Sequence, residues 1–343
     1  MSWATWAEQE RARIVAAGRW RAVREVDGPG PEVSLPDEPE RGPVVSFASN
    51  DYLGLARHSA VAAAAHAALD RWGTGAGAAR LTVGSRPVHS ELEDELAAWK
   101  GAARAVLFPT GYAANLGVLS ALGGPDVRIL SDEGNHASIV DGCRLARAEV
   151  TVYPHGDVAA VERALRGRGR TLVVSDSVFS MDGDVAPVEE LLDVCRHHGA
   201  LLVLDEAHAV LGPELAGGAD GLVRVGTLSK ALGSLGGFVA GPAALTELVV
   251  NRARPFIFTT ASPPADAAAA LAALRVVRSS EGEQLKAALR CHVDRIAPGH
   301  PSPIVPVVVG DEERAVAASD ALLERGLLVP AIRPPTVPAG TSR

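Results

Sequence analysis

The chain has 343 residues, 47% of them hydrophobic and 22% charged, with a formal net charge of −8 and a pI near 5.7. That length exceeds one small core and points to two packed regions, in a composition far from the disordered regime. Positive charge is dispersed with no Lys/Arg run to follow a phosphate backbone, which argues against nucleic acid, and no stretch reaches the ~20 apolar residues of a membrane span.

The N-terminus has no apolar signal region, so the expected location is the cytoplasm. Cys143, Cys195 and Cys291 are far apart and lack CxxC spacing, which predicts reduced thiols and no metal site.

Residues 4–25 predict an amphipathic helix carrying Arg11, Arg13, Arg19, Arg21 and Arg24, followed by a loop rich in Pro and Gly over 28–43. Residues 1–44 are thus read as an N-terminal helix and arm. An alanine-rich tract at 60–69 reads as a helix. Short apolar runs then recur at 104–108, 127–130, 150–153, 172–175, 201–204 and 221–225, with Phe238-Val239 last. Helical patterns at 112–122, 157–166 and 187–198 alternate with them. Apolar runs without polar alternation are the pattern of strands buried on both faces of a mainly parallel sheet. Residues 45–245 are therefore expected to form a large α/β domain. Beyond Pro242 comes a helical pattern at 263–298, broken around 279–282. A strand at 304–309, a helix at 312–325 and a short strand at 327–329 follow, predicting a smaller α+β domain over 246–343. Nothing after the Pro-rich 332–341 returns to a strand or closing helix, so this domain is expected to be truncated.

The chemistry concentrates at strand ends. The run 201–204 exits into Asp205-Glu206-Ala207-His208, placing polar groups where open α/β sheets bind ligands. Lys230 follows another strand, in Thr227-Leu228-Ser229-Lys230-Ala231-Leu232-Gly233. Partial burial there would favour the neutral amine that forms an imine. An Asp beside a pyridine nitrogen keeps that nitrogen protonated and the ring electron-withdrawing. Each residue alone has an ordinary structural explanation; the combination is harder to dismiss. Phe108-Pro109-Thr110-Gly111-Tyr112-Ala113-Ala114-Asn115 is a strand–turn–helix junction suited to a phosphate. His136 lies in a polar loop after a strand, able to stack on an aromatic ring. The G-x-G-x-x-A match at 73–78 follows an alanine-rich helical tract, where the dinucleotide fingerprint requires a strand.

Taken in order, these motifs resemble the α-oxoamine synthases. These are pyridoxal-5′-phosphate (PLP) enzymes of the aspartate-aminotransferase type, fold type I, which condense an amino acid with an acyl-CoA and release CO2. The resemblance runs from about residue 20 to the end. It is carried by Ser49-Asn50-Asp51-Tyr52-Leu53-Gly54-Leu55, Gly73-Thr74-Gly75 with His89, and Gly111-Tyr112-Ala113-Ala114-Asn115. Val178-Phe179-Ser180-Met181-Asp182-Gly183-Asp184, Asp205-Glu206-Ala207-His208 and Thr227-Leu228-Ser229-Lys230 complete the series. Before the Val178 stretch, where many members have an acidic residue, this chain reads Asp176-Ser177.

The resemblance implies a large mainly parallel-sheet domain with a smaller α+β domain, PLP as cofactor, and a homodimer with its site at the subunit interface. It implies that Lys230 carries the cofactor and transfers protons, that Asp205 pairs with the pyridine nitrogen and that His136 stacks on the ring. His208 with Ser180 would bond near the ring oxygen. Gly111, Tyr112 and Thr227 would hold the phosphate, helped by Thr259 or Thr260 of a second subunit. Asn50 would meet the amino-acid carboxylate and Arg21 the acyl substrate. The closing 332–341 is most similar to the biotin-pathway branch, which joins L-alanine to a pimeloyl thioester. Three alternatives stand beside it: a glycine C-acyltransferase, a PLP-binding protein without activity, and a nicotinamide oxidoreductase resting on the glycine-rich loop alone. The second is motivated by the family pattern Arg-Leu-Arg after Thr341, of which only Arg343, matching the first arginine, is present.

Overall fold

The computed structural model describes residues 1–167, 169–213, 215 and 221–343. Among these residues the strands are β1 (Glu32–Val33), β2 (Val44–Ser46), β3 (Arg104–Phe108), β4 (Val127–Asp132) and β5 (Glu149–Tyr153). Then follow β6 (Arg170–Asp176), β7 (Leu201–Asp205), β8 (Leu222–Thr227), β9 (Gly237–Gly241) and β10 (Leu327–Leu328). The chain divides into two compact units, residues 50–305 and residues 1–49 with 306–343.

The 50–305 unit is built on a seven-stranded sheet of order β3-β9-β8-β7-β6-β4-β5. Strands β4 to β8 pair in parallel, and β9 runs antiparallel to both its neighbours. Side chains of a strand point alternately to its two faces, so each apolar run except that of the edge strand β5 feeds two cores. Ile129, Leu172, Val174, Val203 and Val225 pack with Val118, Leu119 and Ile139, from helices Gly111–Leu122 and Ala137–Leu145, on one side. Leu130, Val173, Leu202 and Leu204 pack with Val161, Leu191 and Leu192, from helices Val158–Leu165 and Val188–His198, on the other. Burying each such side chain contributes about 1.5–3 kcal/mol. This two-sided demand explains the absence of polar alternation in the sequence.

A third core joins helices Ser59–Trp72, Pro87–Lys100 and Pro264–Val277. Its alanines, Ala267 to Ala270 and Ala273, leave room for the helix backbones to approach closely. The helical pattern expected at 263–298 forms as Pro264–Val277 and Ser280–Ile296, and both helices lie within this unit. A charged pair is buried in it: Arg224 on β8 donates to Glu206, which also meets Lys100 at 2.7 Å.

In the other unit β2 pairs antiparallel with β1 and parallel with β10, around Val33, Leu35, Val44 and Leu323. The N-terminal helix spans Trp3–Ala16 rather than 4–25. Gly18 at φ +66° turns the chain out of the helix, and Arg19 then pairs with Glu312 at 2.6 Å. The strand expected at 304–309 does not form. Pro306 has no N–H to donate to a ladder, Val307 and Val308 are exposed, and only Val309 and Gly310 bond the backbone of Ser342. Among the described residues no helix is long and apolar enough to cross a membrane.

Candidate active site

Three strands adjacent in the sheet, β7, β6 and β4, each end in an aspartate: Asp205, Asp176 and Asp132. Asp176 lies opposite Asp205 in the β6–β7 register, and all three are buried. Buried carboxylates require donors. Asp205 accepts from Asn115 Nδ2 at 2.6 Å and from the Ala207 N–H at 2.9 Å. Asp176 accepts the N–H of His136 at 2.8 Å, and Asp132 that of Gly134 at 2.8 Å. Burial, and then the neighbouring Asp205 charge, push the Asp176 carboxyl well above the usual range, against the pull of the His136 N–H and Lys230.

Lys230 sits on the loop from β8 to β9. The loop is closed by Leu228 N to Gly236 O, Gly233 N to Lys230 O and Ser234 N to Leu228 O, each 2.9 Å. Gly233, at φ +58°, lets it lie on Ala56, since a Cβ there would fall 2.3 Å from the Ala56 nitrogen. Lys230 Nζ is 2.7 Å from His208 Nε2, and His208 Nδ1 is 2.7 Å from Tyr52 Oη. Tyr52 gives its proton to Asn50 Oδ1 at 3.0 Å. His208 Nδ1 therefore donates to the tyrosine oxygen, and Nε2 accepts from the amine. That assignment needs a neutral ring, and burial, with the nearby Lys230 and His136, lowers the His208 pKa to about 3. Burial also lowers the Lys230 pKa, against the opposing pull of Asp205 and Asp176. The amine is thereby moved toward its nucleophilic form.

His136 caps helix Ala137–Leu145, its Nδ1 accepting the Ser138 N–H. Ser138 Oγ lies 2.7 Å from that nitrogen and accepts from Asn115 Nδ2 at 2.9 Å. One amide thus ties His136, through Ser138, to Asp205. Burial lowers the His136 pKa, favouring a neutral ring.

Thr110 caps helix Gly111–Leu122 by accepting from Ala113 N at 3.0 Å. The remaining N–H groups of the first turn and the helix dipole suit an anion. The β3–β9 pairing brings this turn against Gly237, where a Cβ would fall 2.5 Å from Thr110 O and 2.6 Å from Gly111 Cα. Thr227 closes the other side, its Cβ 3.2 Å from where a Gly111 Cβ would stand. Thr227 Oγ1 donates to Gly236 O at 3.0 Å. Tyr112 is directed outward, its hydroxyl bonding Asp141, with its ring 6.3 Å from that of His136.

The residues singled out in the sequence therefore separate. Lys230, His208, Asp205 and His136 come together, with Gly111 and Thr227 at the turn and Asn50 linked through Tyr52. Ser180 lies on the Val178–Val185 hairpin, and the ring nitrogens of His208 meet Tyr52 and Lys230. Arg21 lies in the other unit, donating to Thr336 Oγ1 at 2.9 Å. Sequence reasoning assigns no role to Asn115, Tyr52, Ser138 or Asp176. The repeated pattern of an apolar run ending in Asp, in Ile129-Leu130-Ser131-Asp132, Val173-Val174-Ser175-Asp176 and Leu202-Val203-Leu204-Asp205, is a signal for the last of these.

Known proteins share this arrangement of elements. The family model described as aminotransferase class I and II matches residues 42–343. The curated 8-amino-7-oxononanoate synthase of Anaeromyxobacter dehalogenans is 51% identical over 350 residues, covering 93% of this chain and 87% of that protein. Serine palmitoyltransferase from S. paucimobilis, solved with bound PLP–myriocin, superposes with a TM-score of 0.84 at 31% identity, covering 98% of this chain and 90% of that one. The 8-amino-7-oxononanoate synthase of Francisella tularensis superposes at 0.69 with 25% identity, covering 87% and 90%. The chain belongs to the class I and II aminotransferase family.

Proposed function

We propose that the chain is a PLP-dependent C-acyltransferase that joins L-alanine to a pimeloyl thioester, releasing CO2 and free thiol to give 8-amino-7-oxononanoate in biotin biosynthesis. The observation that carries this reading is the meeting of Lys230 Nζ with a neutral His208 beside the buried Asp205. The relatives named above support the choice of substrates.

The residues fit PLP. A buried amine with a lowered pKa, a carboxylate fixed by two donors, a neutral imidazole and a capped helix N-terminus form the donor set such a cofactor needs. The gap between Gly111 and Thr227 is one that a side chain at 111 would fill. Gly111, Tyr112 and Thr227 would hold the phosphate, Asp205 the pyridine nitrogen, and His136 a ring face, with His208 and Ser180 near the ring oxygen. When bound, the cofactor draws off the charge that develops at the α-carbon of the amino acid.

The rest is work for this chain's own groups. Asn115 and the Ala207 N–H keep Asp205 aimed, so its charge meets the cofactor without rearrangement. His208, an acceptor at Nε2, steadies the Lys230 amine. The lowered pKa keeps that amine able to take the α-proton and return it. Asn50 would receive the amino-acid carboxylate, and Arg21 is assigned to the acyl substrate.

We place the enzyme in the cytoplasm as a homodimer. Leu81, Val83 and Phe258, exposed near Thr259 and Thr260, support a subunit contact there. Sedimentation at the mass of one chain would contradict it.

Purified protein supplied with PLP should absorb near about 420 nm, and Lys230→Ala should lose that band. Alanine-dependent thiol release from pimeloyl-CoA, exceeding that with glycine or acetyl-CoA, is expected. Absence of the band rejects the cofactor, while preference for glycine or acetyl-CoA rejects the substrates.

A further inference from the structure

Away from Lys230, one imidazole lies between two carboxylates. His155, just past β5, has Nδ1 2.8 Å from Asp132 Oδ1 and Nε2 2.7 Å from Asp184 Oδ2. A neutral imidazole has one N–H, so it can donate to only one of these acceptors, and both contacts are satisfied together only by the imidazolium.

What the ring joins gives it a use. Asp132 also accepts the N–H groups of Gly134 and Gly156, each at 2.8 Å, which sets the loop running into His136. Asp184 closes the hairpin that carries Ser180: Phe179 N donates to Asp184 O at 3.0 Å and Gly183 N to Phe179 O at 2.8 Å. The Phe179 ring meets the His155 ring edge-on, 4.3 Å between centroids. Gly134 makes room for this contact, since a Cβ there would stand 3.0 Å from His155 Nδ1 and 3.2 Å from the Phe179 ring. The far side of the hairpin is fixed by Ser302 Oγ, donating to Gly183 O at 2.7 Å.

We propose that His155 is a positioning residue, an imidazolium clasp that holds the His136 loop and the Ser180 hairpin in the one arrangement that receives the cofactor. The inference rests on the PLP reading for its purpose, and on Asp132 and Asp184 for its geometry. The charged groups facing the ring are Asp132 and Asp184, while Glu133 accepts the backbone N–H of His155 at 3.2 Å. Burial works against the ring's charge, but the hydrogen bonds to Asp132 and Asp184 outweigh it and raise the pKa above 6.5. A raised histidine pKa makes the clasp complete at low pH and opens it as pH rises through the folded value.

The experiment compares wild type with His155→Gln and Asp184→Asn in three measurements. Imidazole NMR of cofactor-free protein should put the His155 pKa above 6.5 and move it down in Asp184→Asn. Amide exchange at Gly183 and Gly134 should speed up in His155→Gln, and in wild type relative to that variant as pH passes the ring's pKa. PLP affinity should fall about tenfold or more in His155→Gln, with wild type and variant converging at high pH. An ordinary ring pKa, or unchanged exchange and affinity in the variants, overturns the proposal. If His155→Gln does not fold, Asp184→Asn retains the Asp132 contact, and the same three measurements on it decide the matter by the same criteria. Failure of wild type to bind PLP would count against the cofactor reading, and NMR and exchange would still decide whether the clasp exists.

Discussion

Replacing His208 with Gln isolates the cost of keeping that ring uncharged. A free histidine protonates near pH 6.5, whereas burial and the charges of Lys230 and His136 delay this in the fold until about 3. Between those values the unfolded chain binds a proton that the native ring refuses. Native stability is therefore undiminished above the unfolded pKa and is lost as pH falls toward the folded one. The slope rises from half of about 1.4 kcal/mol per pH step at the unfolded pKa to nearly all of it below, so acidification from about pH 6.5 to about 4.5 removes roughly 2.3 kcal/mol on account of this group. Gln has no proton to take up in this range, and its amide can still meet Tyr52 and Lys230. Denaturant melts of cofactor-free wild type and His208→Gln across that interval give the difference directly, with the other titrating groups cancelling. The variant should gain on wild type by about 2–3 kcal/mol as the medium is acidified. A difference that stays flat with pH would mean the ring is charged in the fold, and the hydrogen-bond assignment from Asn50 to Lys230 would be wrong.

Glu206→Ala should cost about 3–5 kcal/mol, because it strands Arg224 in the core without its carboxylate. A thermal melt indistinguishable from wild type would show that pair to be inert. Gly237→Ala should weaken PLP binding, since the added Cβ must push the Thr110–Gly111 turn away. Titration of PLP by absorbance reads this, and unchanged affinity would remove the turn from the cofactor's contacts.

Six of the seven strands of the large sheet are legible because each is an apolar run buried on both faces, whereas β5, mostly exposed at the sheet edge, shows only through its valines. Their ends are less so. The run at 172–175 extends to Arg170–Asp176 because β6 lies between β4 and β7, and pairing rather than composition sets its length. The 304–309 run looks like a strand by its valines, but Pro306 breaks the ladder, and an apolar count does not register a missing donor. Lys230, Asp205, His208 and His136 are visible as polar residues at strand ends. Asn115, Ser138 and Tyr52 are not, because their value lies in reaching across between elements distant in sequence: Asn115 to Asp205, Tyr52 to His208. Arg224 has the look of an ordinary strand residue, and only the fold reveals the carboxylate that makes its burial tolerable.

The closed loop between β8 and β9 has a consequence for how the lysine moves. With the backbone of 228–236 pinned by its own hydrogen bonds, the excursions left to Lys230 are rotations of its four-carbon stem. On the PLP reading Lys230 would hold the cofactor, and this short tether would keep its amine within reach of the reacting carbon throughout. The tether also implies that the amides of Leu228 and Ser234 should rank among the slowly exchanging ones.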